Sequence, residues 1–435
     1  MKKIKLDTLP PKGLHGTVDI PGDKSISHRA LMVGAISEGQ TTINHFLWSQ
    51  DCQNTLEALR QLGIKIEANK EQVIVHGKGV RGLEASAQPL EMGNSGTTTR
   101  LLMGLLAGTD FTSRLQGDSS LSKRPMKRVA EPLSKMGAQI ETTKLGTLPV
   151  IVKGSKIHGT KLQLQVASAQ VKSAVIFAAL QADTPMTVIE KLPTRNHTEL
   201  MLRKFGADIS TEKDQKTINI KPANRLRGQV VNVPGDISSA AFFLVAATIV
   251  PNSRITLKNV SLNPTRTGIL NVLKRMGANF KILYRENNDE SYGDIEISAS
   301  NLKPVRITGV EIPALIDELP LVALLAACAD GKSEIRGAAE LRVKETDRIS
   351  TVTQELSKLG VSVTELPDGM IIHGRKNWKT NTVELDSHGD HRIGMMLAVA
   401  ALRTDQELYL NDPAAIAVSY PSFFEDLKSL LNVRK

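Results

Sequence analysis

Basic side chains set beside glycine- and serine-rich helix starts are the feature of this sequence best suited to chemistry. Five segments place Gly, Ser, Asn or Asp at the first turn of an apolar run: Pro21-Gly22-Asp23-Lys24-Ser25, Gly93-Asn94-Ser95-Gly96-Thr97, Ser168-Ala169-Gln170, Gly235-Asp236-Ile237-Ser238 and Ser387-His388-Gly389-Asp390. Unbonded N–H groups and the helix dipole attract anions at such starts, and the same residue types also serve as ordinary caps. Recurrence beside cations favours anion binding. In Lys24-Ser25-Ile26-Ser27-His28-Arg29, Ser25 and Arg29 lie one turn apart on one face, with Lys24 at the anion-attracting end, a grip for carboxylate or phosphate. Ser27 and His28 are expected to satisfy buried neighbours instead. Gly93 and Gly96 let a ligand come close to the backbone.

Further along, Lys123-Arg124 follows the turn Gly117-Asp118-Ser119-Ser120, either as a solvated loop or as two cations serving a site. The stretch 342–348 reads as a helix with Lys344 and Arg348 on one face and a carboxylate beside them, either a surface ion-pair helix or an anion site. Asp317-Glu318 opens an apolar helix, where buried carboxylates are unusual without a task or a partner. The run Asp386 to Arg392 has the His and Asp density of a metal site, but no second His/Cys cluster backs it. Arg392 is better read as an anion clamp, and several arginines converging on a cleft suit a substrate bearing carboxylate and phosphate.

The elements that must position these residues repeat about every 70 to 80 residues. One helix family, at 56–63, 133–137, 202–206, 273–277 and 356–360, ends at a Gly and is followed by an alternating strand; residues 423–431 form a sixth version. A second family, small and apolar throughout and so buried, occupies 28–37, 100–108, 170–182, 238–250, 318–329 and 392–402. Six units of two helices plus strands result. Residues 17–23 are echoed by 230–236, which suggests duplication into two three-unit domains crossing over at the two Pro-Gly-Asp turns. The expected domains are 21–235, and 1–20 together with 236–435, the N-terminal strand completing the latter. A cleft between two such domains is a common place for ligands.

The 435 residues are 41% hydrophobic, ordinary for a globular chain. The first nine residues are polar and basic, and runs such as 240–250 are too short to span a bilayer, so no signal, anchor or membrane partner is expected. Cys52 and Cys328 lie far apart, which fits a reducing compartment, and the protein is read as cytoplasmic. The net charge of +10 allows nucleic acid or small anions, but aromatic residues are only 3% of the chain, too few for base-stacking platforms. Small anions fit better than nucleic acid.

Residues 21–29, 93–100, 124–125, 168–170, 342–348 and 390–392 together resemble the enolpyruvyl transferases, and among them the branch acting on shikimate 3-phosphate. The resemblance covers nearly the whole chain in the family's order. It implies an α/β (α+β) fold of two inside-out α/β barrel domains, each of three βαβαββ repeats, with the active site in the interdomain cleft. It implies transfer of the enolpyruvyl group of phosphoenolpyruvate to the 5-hydroxyl of shikimate 3-phosphate with release of phosphate, in the shikimate pathway of aromatic amino acid biosynthesis, the target of glyphosate. By motif, Lys24, Ser25, Arg29, Ser168, Gln170, Asp317 and Lys344 contact shikimate 3-phosphate, while Lys24, Gly96, Arg124, Gln170, Arg348 and Arg392 hold phosphoenolpyruvate. Asp317 is assigned as general base, Glu345 as proton donor, and Lys24 as charge stabiliser and proton carrier. No metal or organic cofactor is expected, and a monomer is. The chain departs from the better-known branch at Ala169 (for Ser), Glu340 (for Asn) and Val418 (for Lys). The rival is the sister transferase acting on UDP-N-acetylglucosamine, whose reactive Cys is missing from the loop 117–124; a basic RNA-binding protein on a related repeat fold is the non-catalytic alternative.

Overall fold

The computed structural model describes residues 3–223, 225–285, 290–375 and 377–431, so the outermost ends of the expected 1–20 and 236–435 domain lie outside the described residues. By its contacts the chain divides into two compact units, Gly22–Val233, and Met1–Pro21 with Pro234–Lys435. Among the described residues the first unit holds α1 (Lys24–Ala35), α2 (Gln50–Gln61), α3 (Gly96–Leu106), α4 (Lys127–Ser134), α5 (Ala169–Ala179) and α6 (His197–Lys204). The second holds α7 (Ile237–Ile249), α8 (Gly268–Met276), α9 (Leu319–Cys328), α10 (Arg348–Lys358), α11 (His391–Ala401) and α12 (Phe423–Leu431).

Odd-numbered helices are the small apolar family. Every residue of α7 is buried, and α11 is buried throughout although it opens on His391 and Arg392. Such helices have no solvent face and must sit inside their unit. Even-numbered helices bury one stripe; α2, α4, α6, α8 and α10 are followed by Gly63, Gly137, Gly206, Gly277 and Gly360, whose φ values of +83° to +100° turn the chain into the next strand. The first two buried helices begin at Lys24 and Gly96, earlier than their apolar runs at 28 and 100, because Asp23 and Ser95 cap them and recruit a polar first turn.

The strands form five four-stranded sheets and one three-stranded sheet among the described residues. Each four-stranded sheet joins one parallel pair to two antiparallel ones: Leu90–Glu91 runs parallel to Thr112–Gln116, then Val150–Lys153 and Gln139–Glu141 follow antiparallel. Both units close on themselves. Val230–Asn232, at the far end of the first unit, lies parallel to Glu38–Asn44, and His15–Asp19 lies parallel to Arg254–Ser261 in the second. The sixth sheet differs from the others: among the described residues it has three strands, Lys3–Lys5 pairing antiparallel with Tyr409–Asn411, which runs parallel to Glu384–Asp386. Sheets thus wrap buried helices, giving each unit its own apolar core. No helix among the described residues is long and apolar enough to cross a membrane.

Candidate active site

In the first unit Lys24, Ser25, Gly96, Ser168 and Gln170 lie at the starts of α1, α3 and α5, whose caps Asp23, Ser95 and Ser168 each accept a hydrogen bond from an N–H of the first turn, while Arg124 follows a short 3-10 turn, Leu121–Lys123. Arg29 is buried and turned back along α1: Nη1 donates to the Ser25 carbonyl at 2.9 Å, Nε to Thr198 Oγ1 at 2.7 Å and Nη2 to Ser173 Oγ at 2.8 Å. The Lys24 ammonium donates to Asp51 Oδ2 at 3.1 Å. Arg124 is also buried and donates to the Asn94 carbonyl and side chain and to Ser120. Arg100 donates to Gln170 Oε1 at 2.6 Å, and Gln170 Nε2 donates to Thr97 Oγ1 at 2.9 Å, which ties α3 to α5. At Gly96 a Cβ would lie 3.1 Å from Arg100 Nη1 and 3.4 Å from Arg124 Nη1, so this glycine leaves the space between two guanidinium groups open.

Ser27 and His28 lie beneath this surface. Ser27 Oγ accepts from the Leu47 N–H, and His28 Nδ1 meets Thr55 Oγ1 at 2.7 Å. Thr55 in turn meets Thr98 Oγ1, which meets Ser95 Oγ, both at 2.6 Å, so α1, α2 and α3 share one buried polar chain. Burial pushes the His28 imidazole well below the usual histidine range, with the nearby Lys24 and Arg29 charges adding to the effect. His28 is therefore neutral and supports the floor.

In the second unit Asp317 stands among cations: its carboxylate is 4.0 Å from Lys344 Nζ, 3.8 Å from Arg348 Nη1 and 3.9 Å from Arg392 Nη2. Arg392 Nη1 also donates to the Asp317 carbonyl at 2.8 Å. Arg348 is fully buried and grips Asp390 with two hydrogen bonds, 2.7 and 3.1 Å, while Nη2 also reaches Glu345. Burial opposes its charge, yet Asp390 and Glu345 outweigh burial and hold the guanidinium above its ordinary value. Lys344 is displaced the other way, below the usual lysine value, chiefly by burial. Glu318 lies between Arg266 and Arg392 and accepts from Ser238 Oγ; burial raises its carboxyl despite both arginines.

The segment 342–348 corrects the helical reading. Ala339–Val343 is a short 3-10 turn, Asp347 caps α10 and Arg348 is its first residue, so Lys344 and Glu345 sit on the connecting loop. Arg342 is spent on Asp347, Glu365 and the Leu366 carbonyl, which pins that loop. The histidine-rich run is likewise committed within the protein: His388 meets the buried Glu355 at 2.8 Å, and Asp390 holds Arg348. Cys52 and Cys328 are unbridged, and burial pushes both thiols up to about 12.

Three residues escaped the sequence reading as site members: Asp51 beside Lys24, Arg100 beside Gly96, and Arg195, whose Nη1 donates to Ser25 Oγ at 3.3 Å. Arg100 alone carried a local signal, as the last residue of the Gly93 motif.

Comparison with known proteins places this geometry. The family model described as EPSP synthase (3-phosphoshikimate 1-carboxyvinyltransferase) matches residues 9–427. A 3-phosphoshikimate 1-carboxyvinyltransferase from Limosilactobacillus fermentum is 58% identical over 97% of this chain and 98% of its own length. Another from Lactiplantibacillus plantarum is 56% identical over 98% of both chains. Among solved structures, EPSP synthase from Acinetobacter baumannii superposes with a TM-score of 0.86 at 42% identity, covering 99% of this chain and 98% of that one. The enolpyruvyl transferase NikO from Streptomyces tendae, at 16% identity and a TM-score of 0.74 over 98% and 96% of the two chains, shares the fold.

Proposed function

The chain belongs to the EPSP synthase family, and from that premise we propose a division of labour among its site residues. The protein is a 3-phosphoshikimate 1-carboxyvinyltransferase: it moves the enolpyruvyl group of phosphoenolpyruvate to the 5-hydroxyl of shikimate 3-phosphate and releases phosphate, in the shikimate pathway. The observation that supports the division is the contrast between the units. One gathers Lys24, Arg29, Arg100, Arg124 and Arg195 around its helix starts, whereas the other sets Asp317 among Lys344, Arg348 and Arg392 with Glu345 alongside.

Both substrates carry a phosphate and a carboxylate, so the cations of the first unit serve as anion grips. Lys24, Ser25, Arg29, Ser168 and Gln170, joined by Arg195, hold shikimate 3-phosphate together with Asp317 and Lys344. Phosphoenolpyruvate is held by Lys24, Gly96, Arg124, Gln170, Arg348 and Arg392. Asp317 takes the proton of the 5-hydroxyl as its oxygen bonds to the central carbon of phosphoenolpyruvate, and Glu345 delivers a proton to the methylene carbon. Lys24 stabilises the charge of the tetrahedral adduct. Loss of a proton from the new methyl group and departure of phosphate then restore the double bond on the product. Buried Asp390 fixes Arg348 bidentately, which keeps that clamp aimed without itself touching substrate.

The two compact units are read as the two domains of the enzyme, acting as a monomer in the cytoplasm. The test is phosphate release from phosphoenolpyruvate with shikimate 3-phosphate or UDP-N-acetylglucosamine as acceptor, each substrate omitted in turn. Release is expected with shikimate 3-phosphate alone; release with the sugar nucleotide alone would overturn the acceptor.

A further inference from the structure

We propose that Lys172 is a positioning residue for shikimate 3-phosphate: through buried bonds to Glu190, Glu199 and the Thr194 carbonyl it fixes the loop that presents Arg195 beside Ser25. The inference rests on the reading of Ser25 and Arg29 as part of that substrate's anion grip. Lys172 lies on α5 two residues beyond Gln170, and its side chain is 1% exposed. Its ammonium is 2.9 Å from Glu190 Oε2, 2.8 Å from Glu199 Oε1 and 3.2 Å from the Thr194 carbonyl. An ammonium has three N–H donors, so these three partners saturate it.

The partners bracket Arg195 in the chain. Thr194 directly precedes it, Glu190 follows the strand Met186–Ile189, and Glu199 is in the first turn of α6. Thr194 is bound a second time, because its N–H and its hydroxyl both donate to Glu190. Beyond Arg195 the first turn of α6 supplies Thr198, which accepts from Arg29 Nε, and Ser173, the residue after Lys172, accepts from Arg29 Nη2. One ammonium thus fastens the loop carrying Arg195 to the helix carrying Ser168 and Gln170.

A buried ion cluster is a poor stabiliser, since apolar side chains of equal volume often do as well; what three fixed donors supply is direction. Burial already raises the Glu190 carboxyl against the pull of Lys172. Without the ammonium two buried carboxylates face each other, and the loop that carries Arg195 loses its tie to α5.

The experiment compares Lys172→Met, Glu199→Gln, Arg195→Ala and each of the first two combined with Arg195→Ala, measuring KM for both substrates, kcat and thermal unfolding. Lys172→Met is expected to raise KM for shikimate 3-phosphate about tenfold, and Glu199→Gln about threefold, with kcat and KM for phosphoenolpyruvate within about twofold. Arg195→Ala should raise the same KM by at least as much, and the double variants should be no worse than Arg195→Ala alone, because Lys172 acts through Arg195. If Lys172→Met does not fold, the isosteric Glu199→Gln decides by the same criteria. The inference is overturned if both variants keep the KM for shikimate 3-phosphate while Arg195→Ala raises it, if their effects add fully to that of Arg195→Ala, or if both KM values rise together with a loss of stability. An unchanged KM in Arg195→Ala would instead overturn the assignment of Arg195 to the grip, and the inference with it.

Discussion

Asp317 is the residue whose removal should separate chemistry from binding most sharply. Its carboxylate lies within 4.0 Å of three cations that still hold one another's neighbours when it is replaced, since Arg348 keeps Asp390 and Glu345. Asp317→Asn is therefore expected to fold normally and to lose about 10²–10⁴ in kcat, the usual worth of a general base, as read by phosphate release beside circular dichroism. Glu345→Gln should slow deuterium uptake from solvent into the methylene of phosphoenolpyruvate, read by NMR; normal uptake would remove Glu345 as the proton donor. His28 makes a different prediction, on stability. Its folded-state value is depressed, so below about pH 6.5 the unfolded chain binds a proton that the native state refuses, and stability drops by up to about 1.4 kcal/mol per pH unit. Urea unfolding at pH 7 and 5.5 should show a smaller loss in His28→Gln than in the parent; equal losses would mean that His28 is not the group responsible. At this scale the sequence displayed residues that lie near each other on one helix, such as Ser25 and Arg29. Asp51 and Arg195 meet Lys24 and Ser25 only through tertiary packing, and no local spacing announces that.

Helices α3 and α5 show how an element sets a site. At Gly104 a Cβ would lie 2.1 Å from the Ala174 carbonyl oxygen, so the two helices approach more closely there than any side chain permits. Gly104→Ala must push them apart, with an expected cost of about 1–3 kcal/mol. The same movement strains the Arg100–Gln170–Thr97 link at their N-terminal ends, so KM for phosphoenolpyruvate should rise as thermal stability falls. Stability and KM both at parental values would show that the helices tolerate the methyl without moving. The unbroken run of small and apolar residues made these buried helices legible, because a helix buried on every side has no polar face to interrupt it. The segment 342–348 misled for the opposite reason. Its charges recur at helical spacing, but Asp347 accepts from the Ser350 N–H and so starts a helix at Arg348 rather than continuing one. Local capping chemistry overrode the pattern of charges.

The whole molecule divides unevenly along the chain, and that yields a prediction about fragments. The apolar core of the unit Gly22–Val233 draws on residues 26 to 233, one continuous stretch that includes its closing strand Val230–Asn232. The other core combines 237–430 with Leu6, Leu14, Val18 and Ile20, and its first sheet needs His15–Asp19 in parallel register with Arg254–Lys258. The pairing of Lys3–Lys5 with Tyr409–Asn411 joins segments about 400 residues apart and leaves no trace in either segment alone. A fragment spanning 22–233 is expected to fold alone, with cooperative urea unfolding by circular dichroism, since its burial is internal. A fragment spanning 234–435 should be far less stable, because losing the N-terminal segment uncovers a sheet edge and four core side chains. Supplying residues 3–20 as a separate peptide should restore its cooperative transition, with a midpoint that rises with peptide concentration. If 234–435 unfolds cooperatively without the peptide at the same midpoint, the N-terminal strands ornament that unit rather than complete it. If 22–233 fails to fold, its core depends on contacts with the other half of the chain.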